Sequence, residues 1–164
     1  MLVVCDLSQV PEKLVKLEPL SVEAFSPFGD VLGFDFKISR FDFGEGLLHM
    51  NYVRRPYQEF KFDTMEKHVG RQGFISMDTN PFAVIMAPST HNDLPDINQM
   101  RAFIVDGSKA VVLKEGIWHV HDRFPLAPPE SKMIVFCSVK MEAPDQTAKI
   151  DLREQYGVTG RLTI

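Results

Sequence analysis

Two short fragments far apart in the chain constrain its fold more than any other feature: Glu66-Lys67-His68-Val69-Gly70-Arg71-Gln72 and Gly116-Ile117-Trp118-His119. Side chains alternate faces along a strand, so Glu66 and His68 point the same way. A bend at Gly70 lets Gln72 rejoin that face. A later strand bearing Gly-x-x-His can then bring His119 to the same point. One carboxylate, one amide and two imidazoles then converge inside a β-barrel, where they suit a divalent metal or a polar substrate.

The rest of the chain reads as further short strands punctuated by Pro and Gly. Residues 60–63 alternate apolar and polar, as a half-buried strand does. Runs at 16–20, 28–32, 47–53, 65–68, 73–77, 82–87, 101–105, 110–114 and 133–139 add to the series, and Arg54-Arg55-Pro56 closes the one at 47–53. Asp106-Gly107 between two apolar runs predicts a hairpin turn. Ser21 caps a short helix that carries Ala24 and Phe25 inward and stops before Pro27. The expected fold class is all-β, an antiparallel barrel or jelly roll with one or two short helices. We expect one domain over residues 1–164, with its core at about 16–140 and a polar C-terminal extension over 141–164. In that extension the stretch Glu142-Ala143-Pro144-Asp145 leads toward a helix or strand packed on the barrel or on another subunit.

Composition removes several classes of function. A chain of 164 residues can bury a sizeable core without staples. Its net charge of −4 offers no basic field, so nucleic acid is not an expected partner. No apolar run approaches the length of a membrane span. The opening Met1-Leu2-Val3-Val4-Cys5-Asp6 lacks a basic leader, which leaves the cytoplasm as the expected compartment. Of the two cysteines, Cys5 and Cys137, the second sits in an apolar strand-like run and is expected as a buried reduced thiol.

Glu66, His68, Gln72 and His119 are the candidate metal ligands, and Glu66, His68 and His119 the candidate catalytic groups. Imidazole suits nickel, zinc or iron, and carboxylate suits manganese. Gln72 is a weak neutral ligand that can instead hydrogen-bond substrate. His121 shares a face with His119 and is a second-rank ligand or acid–base candidate. Arg54 is the candidate to hold a substrate carboxylate through its guanidinium fork, with Arg55 expected as surface charge. Trp118 packs or walls the pocket. Arg71, of opposite parity to Gln72, points outward, and His49 and His91 have structural or surface roles.

The pairing of Glu66-x-His68-x-x-x-Gln72 with Gly116-x-x-His119 resembles the two motifs of a cupin. More specifically, the chain resembles the ureidoglycolate lyase family. The segment from Leu17 to Val31, the run Glu66-Lys67-His68 before Gln72-Gly73-Phe74-Ile75-Ser76-Met77, the stretch from Asp96 to Phe103 with Gly107, and Gly116-Ile117-Trp118-His119 match it in order. Where that family usually reads Trp-His-His-Pro, this chain has Trp118-His119-Val120-His121. The resemblance implies a cupin-like barrel, commonly a homodimer, that splits ureidoglycolate, a small carboxylate, into glyoxylate and urea in allantoin breakdown. Other outcomes for such a barrel are a metal-dependent oxygenase or isomerase acting on a small hydroxy or keto acid, or a module that binds a small acid without turning it over.

Overall fold

The computed structural model describes residues 10–33, 40–43, 48–138 and 147–164. Cys5, the reading of the N-terminus and the polar run at 141–146 lie outside the described residues. Two sheets carry the architecture. The larger contains β1 (Glu12–Glu18), β4 (Lys61–Phe62), β5 (Thr64–His68), β7 (Phe82–Ala87), β8 (Arg101–Val105), β10 (Trp118–His119), β11 (Phe124–Pro125), β13 (Thr147–Asp151) and β14 (Thr159–Thr163). Its order is β13-β5-β10-β7-β8-β1-β14-β4, with β11 also on β7. The smaller contains β2 (Gly29–Gly33), β3 (Leu48–Pro56), β6 (Gln72–Ser76), β9 (Lys109–Leu113) and β12 (Glu130–Ser138) in the order β2-β9-β6-β12-β3. The all-β class with two short helices is the one expected.

Strand β7 shows why the sheets stack as they do. All six of its residues are apolar and buried, so it has no solvent face. Phe82, Val84 and Met86 join Phe74, Phe103, Val111 and Met133 in a core between the two sheets. Ala83, Ile85 and Ala87 face the other way, into a second core with Met65, Trp118, Phe124, Leu152 and Leu162. Alternation on one strand thus feeds two cores.

Helix α1 (Val22–Phe25) forms where its cap predicts, with Ser21 Oγ accepting from the Ala24 amide at 3.1 Å. Its short length still seats Phe25, fully buried, edge-on to Phe103 at 5.3 Å. Helix α2 (Leu152–Tyr156) is capped by Asp151, which accepts from the Arg153 and Glu154 amides, and it ends at Gly157 in a left-handed conformation. Its Leu152 plugs the second core. Beyond residue 146, then, the polar sequence supplies two members of the larger sheet: β13 pairs with β5, and β14 with β1 and β4.

Three local expectations are corrected. Asp106-Gly107 does not close a hairpin, because β8 and β9 belong to different sheets; the turn, with Gly107 at φ 86°, is a corner between them. The barrel is not antiparallel throughout, since β1 runs parallel to both β8 and β14. Arg54-Arg55 does not end a strand either: β3 continues through both, paired with β12 as far as Pro56 opposite Glu130.

Candidate active site

Glu66 and His68 lie two apart on β5 and share its inward face. His119 on β10 is the direct cross-strand partner of Glu66. Glu66, His68 and His119 are all buried, and their donor atoms lie within 4.8 Å of one another. The Nε2 atoms of His68 and His119 each stand 3.6 Å from Glu66 Oε1, and the two rings are 5.1 Å apart. Gln72, on β6 of the smaller sheet, arrives from across the bend at 69–71 and is buried beside them.

Glu66, His68 and Gln72 line a cavity of about 380 Å³ between the sheets. Asn51, Val53 and Arg55 of β3 line one side, Thr147 and Lys149 of β13 another, and His121 and Arg123 follow β10. His119 lies behind this lining, 3% exposed.

The hydrogen bonds fix protonation states. His119 Nδ1 meets the Ile117 carbonyl at 3.2 Å; a carbonyl can only accept, so Nδ1 carries the hydrogen. Burial, aided by the nearby Arg123 and His68, lowers the His119 pKa to about 4 against the pull of Glu66, so the ring is neutral. Its Nε2 therefore presents a bare lone pair, buried and with no hydrogen-bond partner among the described residues. His68 Nε2 is orphaned in the same way, while its Nδ1 bonds Thr147 Oγ1 at 2.9 Å. Burial raises the pKa of Glu66, but the imidazoles around it, with His121 Nδ1–H donating to its Oε1, hold the carboxyl well below the usual range.

His121 is fixed by two partners. Arg55 Nη2 can only donate, so His121 Nε2 accepts from it at 3.1 Å; His121 Nδ1 then donates to Glu66 Oε1 at 2.9 Å. Arg123 is buried, lies 4.3 Å over the Phe74 ring, and donates to the His121 carbonyl and to Gln72 Oε1, the latter at 3.2 Å. Burial lowers its pKa to about 10, still far on the charged side at neutral pH.

Of the residues singled out from sequence, Glu66, His68, Gln72, His119 and His121 come together. Trp118 does not: opposite in parity to His119, it enters the second core, with the Lys67 ammonium 5.1 Å over its ring. Arg54 is likewise absent from the cavity. It points to the other face of β3 and pairs with Glu130 at 2.9 Å, while Arg55 faces in. Arg71 points away and pairs with Asp30. Cys137 is free, buried and part of the lining, and burial raises its thiol pKa. Sequence reasoning gave Arg123, Thr147 and Lys149 no role in the site. His119, His121 and Arg123 recur at period two, a signal for Arg123; in β13 the alternation Thr147-Ala148-Lys149-Ile150-Asp151 puts Thr147 and Lys149 on one face.

The bare Nε2 of His119 has no hydrogen to offer the ionised Glu66 oxygen it faces, and His68 Nε2 beside them has no partner among the described residues, a conflict that a divalent cation held by the three would resolve. Gln72 differs, since its oxygen is engaged by Arg123. The ureidoglycolate lyase family matches residues 40–159 of the chain. This chain belongs to the ureidoglycolate lyase family. Among curated relatives, the ureidoglycolate lyase of Pseudomonas paraeruginosa is 29% identical over 127 residues, covering 65% of this chain and 74% of its own length. That of Burkholderia mallei is 30% identical over 127 residues, covering 65% and 73%. Among solved structures, oxalate decarboxylase from Bacillus subtilis is 11% identical at a TM-score of 0.43, over 77% of this chain and 29% of that one. RmlC from Streptococcus suis is 12% identical at 0.40, over 71% and 53%.

Proposed function

We propose that this member of the ureidoglycolate lyase family splits ureidoglycolate into glyoxylate and urea. The observation that carries the reading is the bare, buried Nε2 of His119 facing the ionised Oε1 of Glu66, which lines the cavity between the sheets. Glu66, His68 and His119 are the residues that would hold a divalent cation, and their donor set suits nickel, zinc, manganese or iron. Bound there, the cation would supply Lewis acidity and make the alkoxide of a substrate hydroxyl accessible near neutral pH.

The chain's own residues supply orientation and shelter. Ureidoglycolate carries a hydroxyl, a carboxylate and a ureido nitrogen on one carbon. Loss of the hydroxyl proton lets the carbonyl form as the carbon–nitrogen bond breaks, and urea leaves with a proton on its nitrogen. His121 Nδ1–H holds Glu66 in place, and Ile117 sets the tautomer of His119. Arg123 pins Gln72 against the cavity wall. Held this way, the polar groups need not reorganise as charge develops.

Metal-replete protein incubated with ureidoglycolate should release glyoxylate and urea in equal amounts, and chelation should stop it. Failure to release urea from protein shown to hold metal would end this reading. The proposal includes a homodimer working in the cytoplasm. Among the described residues no helix is long and apolar enough to cross a membrane, and light scattering would read the dimer as twice the mass of the chain.

A further inference from the structure

The cavity carries more positive charge than the Glu66 cluster uses. Among the described residues lining it, Arg55, Arg123 and Lys149 are cationic against one carboxylate, Glu66. Arg123 is spent on Gln72, the His121 carbonyl and the Phe74 ring. Lys149 is 67% exposed and stands 3.6 Å from Glu66 Oε2. Arg55 differs from both. Among the described residues its one hydrogen bond goes to a neutral imidazole, His121 Nε2, and its Nε is buried with no acceptor. A guanidinium fork on a cavity wall with an unspent donor is built to receive an anion with two oxygens.

We propose that Arg55 takes the carboxylate of the bound molecule and leaves His121 as it does so, so that carboxylate recognition and the baring of His121 Nε2 are one event. The choice of ureidoglycolate as the molecule rests on the lyase reading; the anion class does not. A carboxylate meets the guanidinium as an opposite charge and through two parallel bonds where the imidazole offers one acceptor, so a carboxylate outcompetes the imidazole for the guanidinium. His121 stays in place, because its Nδ1–H remains on Glu66 and its carbonyl remains on Arg123. Its Nε2 lone pair is then open to the cavity, where it can accept a hydrogen bond from the hydroxyl beside the carboxylate. A molecule without a carboxylate leaves Arg55 on His121, and the acceptor stays covered. Selectivity for a small hydroxy acid over its neutral analogue follows without any further contact.

The test uses glyoxylate as the probe, titrated calorimetrically into zinc-loaded protein. Arg55→Gln should weaken binding about 100-fold, as loss of a buried charge pair does. Arg55→Lys keeps the charge without the fork and should lose about 10-fold. Arg54→Gln, on the outer face, should change affinity less than about twofold. An unchanged melting temperature without ligand certifies each fold, and Arg55→Lys decides if Arg55→Gln is unstable. Nitrogen NMR provides a second readout: glyoxylate should move the His121 Nε2 resonance in wild type, and Arg55→Gln should show it already moved. Glyoxylate affinity within about threefold of wild type in both Arg55 variants would overturn the carboxylate site, and an unmoved His121 resonance would overturn the coupling. Protein that binds glyoxylate through Arg55 yet leaves ureidoglycolate intact would end the lyase reading alone.

Discussion

His119 and Glu66 face each other across the β5–β10 ladder, and the imidazole Nε2 of one lies 3.6 Å from the carboxylate Oε1 of the other. In most proteins such a pair would share a proton. Here the Ile117 carbonyl claims the only hydrogen on the neutral ring, so the pair confronts itself as two acceptors, and the stability and activity of the protein both bear its mark.

The first consequence is a pH dependence of folding. In metal-free protein burial lowers the His119 pKa from its ordinary 6.5 to about 4. Between those values the unfolded chain binds a proton that the folded chain refuses, so stability falls as pH drops. Full stability is present above 6.5, and about 3 kcal/mol is lost by pH 4. Glu66, whose folded carboxyl stays ionised, adds to the loss below about 4.5, where its unfolded counterpart takes up a proton. Urea denaturation across this range checks it, with His119→Gln expected to flatten the upper part of the slope.

The second concerns activity. His119→Ala and Glu66→Gln should each lower kcat/KM for ureidoglycolate about 10³-fold while circular dichroism stays native. Metal content by mass spectrometry should fall in both. Either variant with full metal content and full turnover would remove the cluster from the chemistry.

Arg123 gives a third. Replacing it by Lys loses the fork that serves Gln72 and the His121 carbonyl together. We expect about 2 kcal/mol of lost stability, the cost of buried acceptors left without a donor, and a fall in kcat larger than any rise in KM. Thermal melts and steady-state kinetics read the two effects separately.

A fourth lies in the framework. A Cβ added at Gly29 would fall on the Val112 carbonyl oxygen across the β2–β9 pairing, where backbone rather than a movable side chain is in the way. Gly29→Ala should cost about 3 kcal/mol in chemical denaturation. Gly33→Ala, with open space around it, serves as the control.

Much of this site could be read from the sequence, and the limits have physical causes. Glu66 and His68 declared a shared face through their spacing, and the Gly116-x-x-His119 fragment named its partner. Arg55 is hidden because Arg54-Arg55-Pro56 reads as the close of the strand, whereas β3 runs three residues past Val53: Val53 sets the inward parity, and extending it two residues reaches Arg55, not Arg54. Trp118 followed the same rule in reverse, since the neighbour of an inward His119 must face out. Thr147 and Lys149 were not read, although Thr147-Ala148-Lys149-Ile150-Asp151 alternates polar and apolar; with Ala148 and Ile150 as its only apolar members, the run gives no sign that its polar face meets the cavity. The Asp106-Gly107 pair specified a turn correctly but not which sheet each flanking strand would join, a choice made by contacts distant in sequence.

The parallel union of β1 with β14 reaches beyond the static barrel. Arg161 and Glu12, 149 positions apart, form a two-bonded ion pair along that seam. A strand made early pairs with β8 on one edge but keeps the other open until one made near the end arrives, and β4 waits with it. We expect slow closure for this topology, with a ribosome-bound chain halted before residue 159 exposing the edge of β1 to chaperones or to its neighbours.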